Sequence, residues 1–206
     1  MSTNRSVSSD RTDLRRKILD AAMFAFQEHG IKAVTMSDIA SQLSISKRTL
    51  YEIYANKEDL LFECVCDHDK QMKMQLQEVN GKNGNAMDIL IHFIKINIEN
   101  SSKTNPLFFS DLRKYPKVMA YINSRNENSR EDSIGFMKRG VEEGFFRDDV
   151  NYDLVNLMAE VFMKNVMDTK LYKIYPLSEI ISNVILFMLR GFCTEKGLER
   201  LQHLTT

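Results

Sequence analysis

The sequence of 206 residues predicts an all-α protein of about nine helices. Apolar side chains recur at intervals of three and four residues along most of the chain, which places them on one stripe of a helix. No segment of strand length alternates between apolar and polar residues. Capping residues and the breakers Gly and Pro separate the periodic segments. Together these features predict an N-terminal three-helix helix-turn-helix head, joined by a long helix to a C-terminal helical bundle.

Composition and charge exclude several classes of protein. Hydrophobic residues make up 43% of the chain and charged residues 27%, which is typical of a globular protein and not of a disordered one. The 28 basic and 28 acidic residues cancel, which argues against nucleic-acid binding over the whole surface but allows a small basic patch. Three cysteines form no disulfide framework. Because neither a signal peptide nor an apolar run of membrane-spanning length is present, we expect a cytoplasmic protein without membrane contact.

The first three helices have clear local signals. Apolar residues over 13–29 share one face, Thr12 can serve as the N-cap, and Gly30 follows the last turn. The sequence TMSD at residues 35–38 matches a capping box and predicts the start of a second helix. After a three-residue break, the pattern resumes over 47–54. Packed at a steep angle, the second and third helices form a helix-turn-helix.

The remaining helices are predicted from longer periodic segments. A fourth helix begins after the cap residue Asn56, and turn residues or prolines separate the others. The expected ranges are 57–76, 86–101, 107–114, 117–143, 152–168, 177–192 and 195–201. The predicted domains are a flexible N-terminal arm at 1–12, a helix-turn-helix head at 13–60, and a helical bundle domain at 61–206. The arm is basic enough to contact DNA, but its charge pattern favours a solvated tail.

Polar side chains occupy the outer face of the third helix, at Lys47, Arg48, Thr49, Tyr51 and Glu52. A helix of this kind fits the DNA major groove, which is about 12 Å wide. The first residues of such a helix reach base edges, while hydroxyl groups and helix N-termini bind phosphates. The pattern therefore predicts binding to double-stranded DNA.

A family resemblance supports this interpretation. The segment 35–61, TMSDIASQLSISKRTLYEIYANKEDLL, resembles the DNA-binding signature of TetR-family transcriptional regulators. The end of the first helix, FAFQEHG at 24–30, resembles the corresponding helix of that family. The dense resemblance covers about residues 14–61. It implies a homodimer that binds a pseudo-palindromic operator and is released by a small-molecule effector, most commonly acting as a repressor.

The resemblance also assigns roles to individual residues. Thr35 and Lys57 are expected to bind phosphates, Lys47 and Arg48 to read the base sequence, and the threonine and tyrosine of the third helix to contact the DNA backbone. The full predicted DNA-binding set is Thr35, Ser46, Lys47, Arg48, Thr49, Tyr51 and Lys57. Two positions depart from the family: many members have Gly or Ala in place of Arg48 and His in place of Ile53, which we expect to lie in the core. Residues 1–66 carry nine basic and nine acidic side chains, so positive charge can only be local.

In the resembled family the C-terminal helices hold an effector pocket, and the last two long helices form the dimer interface. The resemblance therefore implies a DNA-binding domain at 13–60 and a ligand-binding and dimerisation domain at 61–206. Met and Phe adapt to irregular space and to varied ligands. Plain core packing is the alternative role for each of these residues. The candidate ligand-binding residues are Phe108, Phe109, Met119, Phe136, Met137, Phe162 and Met163.

No constellation in the sequence predicts catalysis, a metal site or a cofactor. On a helix Cys64 and His68 share a face but Cys66 points elsewhere, whereas structural zinc needs four converging ligands. No nucleophile motif or Gly-rich phosphate loop is present. Two other classes stay open: an all-α enzyme with a purely structural helix-turn-helix, which predicts turnover, and a helical protein–protein adaptor, which predicts weak, salt-insensitive contact with DNA.

Overall fold

The computed structural model describes residues 3–82 and 84–202, and this part of the chain forms ten α-helices and one short 3-10 helix, at Leu171–Lys173. Its only extended pairing is an isolated antiparallel bridge between Phe146 and Cys193, so the all-α prediction is confirmed. None of the described helices is long and apolar enough to cross a membrane. The helices are α1 (Thr3–His29), α2 (Met36–Gln42), α3 (Lys47–Ile53), α4 (Lys57–Gly81), α5 (Ala86–Lys103), α6 (Pro106–Leu112), α7 (Pro116–Glu142), α8 (Tyr152–Asp168), α9 (Leu177–Phe192) and α10 (Glu195–Gln202).

Helix α1 begins much earlier than the sequence predicts. It starts at Thr3, so most of the segment predicted to be an arm, residues 1–12, is helical. The expected start at residue 13 is wrong because Thr12 caps a helix only where the backbone leaves helical geometry, and no Gly or Pro nearby forces it to do so. Met1 and Ser2 lie outside the described residues.

The end of α1 agrees with its prediction. The helix ends at His29, and Gly30 follows with φ +83°. Glycine adopts this left-handed conformation without a steric penalty, as helix C-termini commonly require. A Cβ atom added at Gly30 would also lie 3.0 Å from the Cβ atom of Leu107 on α6, so the close approach of α6 adds a second reason for glycine here.

The chain divides into two compact units. The head unit comprises the residues up to Gln71 together with Thr104–Tyr121, and the bundle unit comprises Met72–Lys103 and the residues from Ile122 onwards. Helix α6 and the first residues of α7 therefore group with the head, although the sequence assigned the whole of 61–206 to a single C-terminal domain. The physical basis is the packing of α6 against α1.

The core of the head unit is built from the inward faces of α1 to α4. Ala40 on α2 is buried, and its single methyl group allows neighbouring helices to cross closely. Burying a larger apolar side chain, such as Ile, Leu or Phe, stabilises the fold by about 1.5–3 kcal/mol. The side chains with no more than 1% exposure on these helices are Ile18, Ala22, Phe26, Ile39, Ala40, Leu50, Leu60 and Leu61.

The core of the bundle unit forms where α5 packs against α9. Aromatic rings from the segment after α7 fill this core: the Phe146 and Phe192 ring centroids lie 5.5 Å apart in an edge-to-face arrangement. Tyr152 packs against Phe192 at 5.7 Å in the same way, a geometry that aromatic pairs favour. The buried members are Ala86, Met87, Ile94, Met137, Phe145, Phe146, Leu189, Phe192, Cys193 and Leu201.

Candidate nucleic-acid interface

Thr35 precedes α2 and forms a capping box with Asp38, which confirms that part of the sequence prediction. The Thr35 hydroxyl accepts a hydrogen bond from the Asp38 amide at 3.2 Å and donates one to the Asp38 carboxylate at 2.7 Å. The same carboxylate accepts from the Thr35 amide at 2.8 Å. These bonds, the hydroxyl contact above all, hold the pKa of Asp38 below its ordinary value. Thr35 is exposed, and its phosphate contact stays a prediction.

Ser46 is the N-cap of α3 and sets the position at which this helix begins. Its Oγ accepts a hydrogen bond from the Thr49 amide at 3.0 Å, and the two hydroxyl oxygens lie 2.8 Å apart. Two residues earlier, Ser44 has φ 54°, in the left-handed region that glycine favours. This turn lets α3 start at Lys47, only five residues after α2 ends at Gln42. The predicted start of the third helix is confirmed.

Helix α3 has one face inside the head and one face outside it. Leu50 is fully buried and Tyr54, the residue after the helix, is 3% exposed. Lys47, Arg48 and Tyr51 are exposed on the other side, with half of the Tyr51 side chain accessible. The structure therefore brings the predicted base-reading residues Lys47 and Arg48 together with Tyr51, a predicted backbone contact, on one accessible surface.

The remaining positions of α3 refine this picture. Thr49 and Ile53 are half-buried, so Ile53 belongs to the edge of the core. Arg48 forms an ion pair with Glu52, its Nε donating to Oε1 at 2.9 Å. The spacing of these two residues, i and i+4, is the sequence signal that could have predicted this pair.

Lys57 is the first residue of α4, and its ammonium group faces the turn between α1 and α2. Nζ donates to the backbone oxygens of Ile31 and Val34, both at 2.9 Å. Partial burial lowers the pKa of Lys57, an effect that the Asp111 carboxylate opposes. Two of the three N–H donors of the ammonium group are thus used inside the head. The predicted phosphate contact of Lys57 stays a prediction.

Asp111 on α6 is a residue that sequence reasoning missed. Its carboxylate accepts a hydrogen bond from the Lys32 amide at 2.8 Å and forms an ion pair with Lys114 at 2.7 Å. Burial opposes ionisation of this carboxyl group, but the bonds from Lys114 and Lys32 prevail and hold its pKa below the ordinary value. The sequence shows only an ordinary i,i+3 pair with Lys114, and nothing in it points to Lys32.

Asn105 joins the start of α6 to the end of α1. Its amide donates to the backbone oxygen of Gln27 at 2.7 Å, and its side chain donates to that of Glu28 at 3.2 Å. The side-chain oxygen also accepts from the Leu107 amide at 2.9 Å, which caps α6. Together with Asp111, this residue ties α6 to the end of α1 and to the turn that follows it.

Two basic residues of α1 are paired within the head. The Arg15 guanidinium binds the Glu63 carboxylate through two hydrogen bonds, one of them 2.7 Å long. Arg16 donates to Asp67 at 2.9 Å and to Asp20 at 3.1 Å. These contacts pair acids of α1 and α4 with the two arginines of α1. On α3, Lys47 stays exposed and Arg48 beside it is exposed but paired with Glu52.

The seven residues predicted to line an effector pocket fall into both units. Phe108, Phe109 and Met119 belong to the head unit, and Phe136, Met137, Phe162 and Met163 belong to the bundle unit. Phe108 is buried and its ring stacks edge-to-face on Phe109 at 5.3 Å, while Met137 is part of the bundle core. A shallow surface pocket of the bundle unit is lined by other residues. The effector-binding role of the seven stays a prediction.

The cysteines are packing residues within the described structure. Cys64 is 2% exposed and donates to the Leu19 oxygen at 3.6 Å. Burial raises the pKa of Cys64, and that of Cys193 to about 11, so these thiols stay protonated at neutral pH. Over residues 3–82 and 84–202 no group of three His, Cys, Asp or Glu side chains is arranged to hold a metal ion.

The helix-turn-helix segment and much of the chain are similar to known transcriptional regulators. Residues 18–64 match the model of bacterial regulatory proteins of the tetR family. The chain is 26% identical to the HTH-type transcriptional repressor KstR2 of Mycobacterium tuberculosis over 147 residues, which cover 68% of this chain and 73% of the relative.

Solved structures share the fold. The ketosteroid transcriptional regulator KstR2 of M. tuberculosis superposes with a TM-score of 0.58 at 22% identity, over 88% of this chain and 95% of KstR2. The fatty acid degradation regulator FadR from Bacillus halodurans gives 0.65 at 20% identity, over 86% and 95%. A TetR-family regulator from Agrobacterium tumefaciens gives 0.69 at 15% identity, over 89% and 99%.

Proposed function

Because this chain is a DNA-binding transcriptional regulator of the TetR family, we propose that it is a ligand-responsive repressor in the cytoplasm. It binds a pseudo-palindromic operator as a homodimer, and a small-molecule effector releases it. Its relatives are transcriptional regulators rather than enzymes.

The exposed face of α3 is the observation that carries this proposal. Lys47, Arg48 and Tyr51 project from a helix that Leu50 anchors in the core of the head. Ser46 caps the N-terminus of this helix, so the helix presents its first turn in a defined orientation. Side chains at the start of a recognition helix reach the base edges in the major groove. Arg pairs best with guanine there, through O6 and N7.

Exposed apolar residues of the bundle unit support the homodimer. Leu154, Leu157, Met158 and Val161 on α8 are 51–59% exposed, and Phe187 on α9 is 80% exposed. The four residues on α8 follow the i, i+3, i+4, i+7 pattern of a single helix face. A contiguous apolar face of this kind marks a protein interface. A two-fold interface places two recognition helices on half-sites that repeat in inverted orientation.

The effector acts, in this proposal, through the attachment of α6 to the turn between α1 and α2. Asp111 binds the Lys32 amide in that turn and Asn105 binds the end of α1 beside it, and the chain enters α6 from α5 of the bundle unit. An effector that prefers the form unable to bind DNA by about 2.7 kcal/mol lowers DNA affinity about 100-fold. Because the related regulators are named for ketosteroids and fatty acid degradation, we propose an effector with an apolar body.

The test is selection of bound sequences from random duplex DNA with the full-length chain. The proposal predicts an inverted repeat, and an affinity that falls with salt with a log–log slope of about 0.9 per neutralised phosphate. Adding a ketosteroid or a fatty acyl compound to the complex should then release the DNA if it is the effector class. A flat salt response with no enriched sequence would favour the protein–protein adaptor and overturn the proposal.

A further inference from the structure

The ion pair between Arg48 and Glu52 on the exposed face of α3 is not explained by the stability of the helix. Both side chains are largely accessible, at 89% and 60%. An exposed pair at this spacing contributes little to the stability of a helix. The order of the charges is also unfavourable, because a helix prefers acids in its first turn and bases in its last turn. In the seven-residue helix α3 the base stands second and the acid sixth.

We propose that Glu52 is a specificity-determining residue, which acts by positioning Arg48 for a guanine in the major groove. The inference rests on the proposed function, in which α3 enters that groove. Glu52 does not itself contact the base in this arrangement. It holds the guanidinium of Arg48 and penalises the contacts that Arg48 could otherwise make with phosphates.

The geometry of the pair leaves the base-reading edge of Arg48 available. A guanidinium has five N–H donors in a fixed planar fork. Nε donates to Glu52 at 2.9 Å, so the N–H groups of Nη1 and Nη2 can donate in parallel to the O6 and N7 atoms of guanine. A carboxylate bound at Nε restricts rotation about the end of the side chain. The freedom that Arg48 must lose on binding a base is therefore reduced before the DNA arrives.

The charge of Glu52 supplies the discrimination. A carboxylate on the surface that approaches DNA is repelled by the phosphates. That repulsion is offset as long as Arg48 stays on Glu52 and binds guanine at the same time. If no guanine is present and Arg48 turns to a phosphate, Glu52 is left without its cation in a groove of negative potential. Non-specific binding is thus weakened more than binding to the correct site.

The experiment is a double-mutant cycle with the full-length chain on three duplexes. These are the selected operator, the operator with the guanine of the Arg48 contact replaced in both half-sites, and an unrelated sequence. The variants are Arg48→Ala, Glu52→Gln and their combination. Glu28→Gln is the matched control, because it removes one exposed acid of the head that lies on α1. Thermal unfolding of each variant checks that the fold is retained.

A defined pattern is expected. Arg48→Ala should reduce discrimination at that base pair by roughly 5- to 150-fold, the range of a bidentate contact. Glu52→Gln should raise affinity for the unrelated duplex by about 3- to 10-fold and lower discrimination at the same base pair by a similar factor. In the Arg48→Ala background, Glu52→Gln should no longer change discrimination there. Glu28→Gln should change affinity for all three duplexes alike.

Two results would overturn the inference while leaving the proposed function intact. In one, Glu52→Gln changes the base preference at a different base pair, and does so in the Arg48→Ala background as well. That result would show that Glu52 itself contacts a base, for example by accepting from the N4 amino group of cytosine. The other is a Glu52→Gln effect identical to that of Glu28→Gln, which would reduce Glu52 to general repulsion. Loss of sequence selectivity in the unaltered protein would instead overturn both proposals.

Discussion

Lys57 is predicted to bind a phosphate, but its ammonium group binds the backbone of the head. A substitution at this residue tests whether the group stabilises the fold. We expect Lys57→Met, which keeps an apolar stem of similar length, to destabilise the protein. It removes two charge-assisted hydrogen bonds, to the oxygens of Ile31 and Val34 at 2.9 Å each. Bonds to a charged group contribute about 1.5–3 kcal/mol each when buried. Lys57 is only partly buried, so we expect a total loss of roughly 2–3 kcal/mol.

The assay is urea unfolding of the full-length chain, followed by circular dichroism, with thermal unfolding as a second measure. A loss of this size should lower the Tm by roughly 4–12 °C for a chain of this length. Lys47→Met is the control, because Lys47 is exposed on α3 and its replacement should change stability by no more than about 0.5 kcal/mol. The control should nevertheless weaken DNA binding.

The same two variants separate the structural role of Lys57 from a phosphate contact. If the ammonium stays on the turn between α1 and α2, Lys57→Met changes stability and leaves the salt slope of DNA binding unaltered. A slope reduced by about 0.9 with an unchanged unfolding midpoint would refute the structural assignment. A decrease in both the unfolding midpoint and the salt slope would mean that the third N–H donor of the ammonium group reaches a phosphate while the other two hold the turn.

Four further outcomes are expected. Ser44→Gly should raise the free energy of unfolding by about 0.5–1 kcal/mol, measured in urea, because Ser44 has φ 54° and glycine removes that strain. Asp38→Asn should lower the free energy of unfolding at pH 7, because the ionised carboxylate is stabilised by its bonds from Thr35 and its pKa is therefore lowered. Below about pH 4 the carboxylate becomes protonated and that stabilisation is lost, so the difference between the variant and the unaltered protein should shrink. Asp111→Ala should cost roughly 1–3 kcal/mol in the same unfolding assay, because it removes a buried carboxylate and leaves the part-buried Lys32 amide without its acceptor; an unchanged midpoint would contradict this. In the proposed homodimer, Phe187→Glu places a charge on an exposed apolar side chain of α9, so we expect a monomer in sedimentation velocity; a dimer that persists would exclude α9 from the interface.

The sequence predicted best what is decided by neighbouring residues. The capping box at Thr35 and Asp38 and the start of α3 at Lys47 depend on contacts between residues three positions apart, so their pattern is visible in the sequence. The start of α1 was predicted wrongly, because a potential cap residue such as Thr12 ends a helix only if the surrounding chain permits it. The short 3-10 helix at Leu171–Lys173 was also not predicted, because three residues carry too little periodicity.

Contacts between distant residues could not be predicted in this way. Lys57 and Asp111 are ordinary charged residues of helices, and each has a sequence setting typical of a solvated surface. Their partners lie 23–26 residues away for Lys57 and 79 residues away for the Lys32 amide. Only packing of α4 and α6 around one turn shows that both charges are used to bind its backbone.

Under the proposed function, the distribution of cations accounts for how the segment 1–66, whose nine basic and nine acidic side chains cancel, could still select DNA. Arg15 and Arg16 are paired with acids of the head, and Lys57 holds a turn, so these residues contribute little field at the outer surface. Lys47 and Arg48 on α3 are exposed, and Arg48 carries its own counterion in Glu52. We therefore expect non-specific attraction to phosphates to be weak relative to contacts with bases. In this proposal, selectivity arises less from strong attraction to the correct sequence than from weak attraction to all the others.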